Sequence, residues 1–126
     1  MNYRTPLARV RGLGSAKSGT RHWWLQRLTA VALVPLSLWF VAALVTIASA
    51  DHATVVAWLG SPVTAVLASG FIVAVFYHAQ LGVQVVVEDY VHSEWLKITG
   101  IVLTKLASLL LAGASLFAVL RIALGG

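Results

Sequence analysis

The chain has 126 residues, of which 60% are hydrophobic and 10% charged, with a mean hydropathy of +0.89. A soluble domain carries roughly 25% charged residues, so this is the composition of an integral membrane protein. Cysteine is absent, which excludes disulfides, thiolate zinc sites and cysteine-held iron–sulfur clusters from this chain. The net charge of +5 would suggest nucleic acid in a soluble protein. Here, however, six of the nine Lys and Arg residues (Arg4, Arg9, Arg11, Lys17, Arg21 and Arg27) precede the first apolar run. That is the positive-inside pattern, and no nucleic-acid partner is expected.

Residues 1–24 read as a cytoplasmic arm. The arm bears Arg and Ser and no acid, as a transit peptide does, but Pro6, Gly12, Gly14 and Gly19 spoil a long amphipathic helix. It is therefore read as an arm that meets a soluble partner. Residues 25–126 read as an all-α transmembrane domain. A bilayer core of about 30 Å takes about 20 apolar residues of helix, and three segments qualify, at about 25–50, 63–88 and 98–124.

Pro35 is expected to kink the first helix. Ala48-Ser49-Ala50 resembles a signal-peptidase site, but the apolar stretch before it is too long for a signal peptide, so the first helix is expected to stay. Asp51, His52 and Gly60-Ser61-Pro62 break the hydrophobic run, and residues 55–59 between them suit a short interfacial helix with Trp58 at headgroup level. In the third helix, Ala107, Ala112, Gly113, Ala114 and Ser115 form a small-residue face suited to helix packing. Lys97 and Lys105 near its start add to the basic residues of the arm, and only Arg121 lies at the other end. That bias sets the N-terminus in the cytoplasm and the C-terminus outside. Lys105 is expected to snorkel to the interface, where a role with anionic lipid stays open.

The second helix carries the chemistry. His78 stands near the middle of an apolar segment, and an ionisable group at that depth needs a reason. Two readings stay open: a hydrogen bond that holds helices together, or an axial ligand of haem iron. At 100° per residue, Phe71, His78, Gly82, Val85 and Asp89 share a stripe, and Gly82 leaves room for the edge of a flat macrocycle. Gln80 and Gln84 lie on roughly the opposite side, so this helix is expected to be covered on both faces. His22, His52 and His92 fall at or beyond the interfaces, and a second ligand to a low-spin haem would have to come from another subunit. About 15 Å above His78 come Glu88, Asp89 and Tyr90, level with His22 and Arg27. Tyr90 is read either as a hydrogen-bond donor to a quinone or as an interfacial anchor beside Trp23, Trp24 and Trp95.

Two stretches resemble a known family. His22-Trp23-Trp24-Leu25-Gln26-Arg27-Leu28-Thr29-Ala30, with its Arg-x-Thr-Ala, and His78-x-x-x-Gly82 followed by Asp89-Tyr90, are similar to the hydrophobic membrane-anchor subunit of succinate dehydrogenase, proteobacterial type. The resemblance covers essentially the whole chain. It implies a bacterial inner-membrane anchor subunit, doing no catalysis of its own, packed with a cytochrome b subunit and joined to an iron–sulfur and a flavoprotein subunit. It further implies that His78 is an axial ligand of haem b, that Arg27 lies near the haem propionates and the quinone, and that Tyr90 hydrogen-bonds ubiquinone with Asp89 beside it. His22 is carried over only weakly. The remaining alternatives are a quinol:fumarate reductase anchor and a haem-free membrane scaffold.

Overall fold

The computed structural model describes residues 5–12 and 19–125. Arg4, Lys17 and Gly14, all counted in the arm, lie outside the described residues. Five helices follow in chain order: α1 (Pro6–Val10), α2 (Gly19–Ile47), α3 (His52–Gly60), α4 (Pro62–Tyr90) and α5 (Glu94–Ala123). Pro6 opens α1, where its missing N–H costs nothing. The helix then ends in a turn in which the Arg11 N–H donates to the Leu7 carbonyl and Gly12 takes a φ of 64°, a value that favours glycine.

Helices α2, α4 and α5 have 29, 29 and 30 residues and are apolar enough to cross a bilayer. Each is about 44 Å long, enough for the hydrocarbon core together with its polar margins. Helix α2 begins at Gly19, six residues before the expected start near residue 25, so His22, Trp23 and Trp24 belong to its first two turns. It runs on through Pro35 to Ile47.

The three spans are antiparallel neighbours. Thr29 meets His78 and Phe40 stacks on Phe71 at 4.6 Å, so residue numbers fall along α4 as they rise along α2. In the same way Gly100 lies against Val87, while Val119 lies with Ala65 and Ala68. Helix α4 is therefore central, with α2 on one side and α5 on the other.

The interior is small. Six apolar residues are buried among those described (Ala43, Ala65, Ala68, Ala74, Leu81 and Val119), with Thr64 and Gln80 as buried polar ones. Most are small side chains. In a bilayer, helices gain nothing by hiding leucine from lipid, and close backbone approach through small residues is what holds them. The small residues that serve are, however, mostly in α4, with Ala43 in α2. An added Cβ at Gly113 would meet nothing within 4 Å, so the expected packing face of α5 is not used at that glycine within this chain.

At the Ala50 end, α3 caps the bundle against α4 and α5. It is longer than residues 55–59 because Asp51 caps it, accepting from the Thr54 N–H at 3.0 Å. The Thr54 hydroxyl and then that N–H hold the Asp51 carboxyl below its ordinary value. Trp58 stacks on Trp39 of α2, with ring centroids 6.0 Å apart.

Candidate cofactor-binding site

The stripe of α4 that carries His78 faces α2. Phe71 stacks on Phe40, His78 Nδ1 lies 3.0 Å from Thr29 Oγ1, and an added Cβ at Gly82 would come 3.9 Å from Gln26 Nε2. The space beside Gly82, read from the sequence as room for a macrocycle, thus adjoins the Gln26 amide within this chain.

A cavity of about 480 Å³ opens between α2 and α4, lined by His22, Trp23, Gln26, Arg27 and Ala30 on one side and His78 and Val85 on the other. Three of the residues singled out from the sequence, His78, Arg27 and His22, are brought together here although 51 positions separate Arg27 from His78. Two buried polar atoms, His22 Nε2 and Gln26 Oε1, have no hydrogen-bond partner. Buried polar atoms are rarely left so, because each costs on the order of 1–3 kcal/mol. The Arg27 side chain is held over the Trp23 ring at 4.5 Å, one turn back on the same helix, which keeps a cation at the cavity wall.

Asp89 and Tyr90 lie elsewhere. Both are exposed at the last turn of α4, with Tyr90 76% exposed, and neither lines this cavity. Gln26 and Thr29 complete the His78 surroundings, and both enter the sequence reading only as members of one motif. A signal was present: His22, Gln26 and Thr29 recur at steps of four and three, a polar line on one face of an otherwise apolar helix.

On its other side α4 carries a polar ladder. Gln80 Nε2 donates to Gln84 Oε1 at 3.2 Å, and Gln84 Nε2 donates to Glu88 Oε1 at 2.8 Å. These residues border a second cavity, of about 580 Å³, with Arg21, His22 and Lys105. Helix α4 is thus polar on two faces, as expected, and Lys105 stands beside Tyr77 and Gln80. Among the described residues no group of three or more His, Cys, Asp or Glu side chains is placed to hold a bare metal ion.

Comparison with known proteins agrees with this picture of an apolar three-span subunit. The model of the family described as succinate dehydrogenase/fumarate reductase transmembrane subunit matches residues 1–119. A succinate dehydrogenase hydrophobic membrane anchor subunit of Rickettsia bellii is 36% identical over 118 residues, 94% of each chain. That of Paracoccus denitrificans is 28% identical over 125 residues, 99% of this chain and 96% of the relative. The succinate dehydrogenase membrane anchor subunit of Reclinomonas americana is 33% identical over 96 residues, 74% of this chain and 80% of the relative. No solved structure gives a significant match. With the family model spanning nearly all its length and three helices able to cross a bilayer, the chain belongs to the succinate dehydrogenase/fumarate reductase transmembrane subunits, as a multi-pass inner-membrane anchor of the succinate dehydrogenase type.

Proposed function

We propose that this anchor holds haem b between α2 and α4, with His78 as one axial ligand, and contributes Tyr90 and Asp89 to a ubiquinone site at the same end of the bundle. The observation that carries the haem reading is the α2–α4 cavity, in which a half-buried histidine, a fixed arginine and two unpaired buried polar atoms meet. Those residues fit the group: one imidazole for the iron, Arg27 and His22 for acidic substituents, and aromatic and aliphatic side chains for the ring. The cavity is open on the outside of this chain, which suits a second ligand and a second wall from a cytochrome b subunit.

Haem held there would supply one-electron redox chemistry. The chain itself ligates, orients and anchors, while succinate oxidation belongs to a flavoprotein subunit. Arg27 would supply a positive charge to the acidic substituents of the haem, and the Tyr90 hydroxyl, at the end of α4, would donate to a quinone carbonyl. In this reading the Gly19, Tyr90 and Glu94 ends of the helices face the cytoplasm, where soluble subunits dock. The relatives' names favour the succinate-oxidising direction over a fumarate reductase anchor.

One rival rests on a specific contact: the 3.0 Å approach of His78 to Thr29 is also what an interhelical hydrogen bond alone would require. His78→Ala in the assembled complex decides between them. Loss of the low-spin b-type spectrum, with the complex still assembled, is expected. An unchanged spectrum leaves His78 as an interhelical hydrogen bond and ends the ligand assignment.

A further inference from the structure

The Thr29 hydroxyl has three polar neighbours and one proton. Its oxygen lies 2.7 Å from the Leu25 carbonyl oxygen, 3.0 Å from that of Gln26 and 3.0 Å from His78 Nδ1. Carbonyl oxygens only accept. Two oxygens at 2.7 Å repel unless a proton lies between them, and that distance is the usual one for an O–H···O bond. The hydroxyl proton is therefore spent on α2's own backbone, and a lone pair of the Thr29 oxygen is what faces the imidazole. A contact of 3.0 Å then requires His78 to donate, so its proton sits on Nδ1 and its free lone pair on Nε2.

We infer that Thr29 is a positioning residue that fixes the Nδ1–H tautomer of His78 and presents Nε2 as the metal-binding nitrogen. This rests on the assignment of His78 as a haem ligand and adds to it which nitrogen binds and what orients it. The arrangement is built in two steps along α2: the backbone bond to Leu25 fixes the hydroxyl, and the hydroxyl fixes the ring. Ligating histidines generally donate their second N–H in this manner, which sets the ring's orientation and makes the bound nitrogen a stronger donor. A stronger donor favours the oxidised metal.

The test is a redox titration of the haem in the purified, assembled complex for Thr29→Val, which keeps the branched shape, and Thr29→Ser, which keeps the hydroxyl. The bond is present in both oxidation states and stronger in the oxidised one, so losing a neutral hydrogen bond worth about 1 kcal/mol should shift the oxidised/reduced equilibrium toward the reduced form by up to about fivefold, a rise of at most about 40 mV for a one-electron couple. Thr29→Ser should titrate like the parent. If Thr29→Val fails to retain haem while Thr29→Ser retains it at the parent potential, the hydroxyl is shown to be required. A Thr29→Val complex with an unmoved potential overturns the inference, as does a Thr29→Ser complex that behaves like Thr29→Val. His78→Ala separates the two levels: haem lost there but indifferent to Thr29 fails the tautomer inference alone, whereas a low-spin spectrum kept there fails the ligand assignment beneath it.

Discussion

At Arg27 two interactions compete for one guanidinium. Its exposed cation is stacked on Trp23, an arrangement worth about 0.5–1 kcal/mol at an exposed site, and it also lines the cavity with His78. A cation near a redox centre stabilises the added electron, so Arg27→Leu should lower the haem potential, opposite in sign to Thr29→Val. Because Arg27 is solvent-facing the effect should stay within about 1 kcal/mol, read by the same redox titration. Tyr90 poses a separate question, since it is exposed and stands apart from that cavity. Tyr90→Phe keeps the ring and removes one donor. Ubiquinone reduction should fall roughly tenfold, from a lost hydrogen bond together with misorientation, while haem content and succinate oxidation by an artificial acceptor stay intact. Full quinone activity would leave Tyr90 as an interfacial anchor.

Helix α3 shows how a short element is specified by its ends. Nine residues are too few for an isolated helix in water, and it persists because Asp51 caps it and Trp58 stacks on Trp39. The Asp51 carboxyl is held below its ordinary value, so it favours the capped form while ionised, above the pKa it would have uncapped. That contribution is lost as pH falls through the depressed value. Protection of the Thr54 amide, taken relative to its intrinsic exchange rate at each pH, should therefore fall in acid, and Asp51→Ala should show the lowered protection already at neutral pH with no further loss in acid. From the sequence Trp58 is legible as an interfacial residue and Asp51 only as a break in the apolar run; the cap and the stacking partner are not, because the cap needs the backbone geometry at Thr54 and Trp39 and Trp58 belong to different helices. The start of α2 lies at Gly19, ahead of the expected residue 25, for a related reason. Gly19 to Trp24 are too polar or too interfacial to count toward a hydrophobic span, yet backbone hydrogen bonding carries the helix past the edge of the apolar run.

Across the whole molecule, the long apolar helices bury few of their own residues. Lipid and other subunits must cover the remainder, as the membrane setting and the family require. Orientation can be read directly because the chain has no cysteine. A single Ser49→Cys, exposed beyond the end of α2, should react with an impermeant maleimide in intact spheroplasts, whereas Ser93→Cys, exposed between α4 and α5, should react only after lysis. The reverse pattern would overturn the cytoplasmic placement of the basic end. The order of residues by itself determined that three stretches are long and apolar enough to cross a membrane and that His78 is the polar residue to explain, because a stretch of hydrophobicity and its interruptions are properties of consecutive residues. Only the tertiary structure decided that His78 faces Thr29, that His22, Gln26 and Arg27 share its cavity, and that Tyr90 does not. Those facts depend on how far each helix is rotated and slid against its neighbour. That geometry is set by small residues such as Ala65 and Ala68 and by the Phe40–Phe71 stack, and spans that are apolar all round leave little of it legible in their hydrophobic pattern.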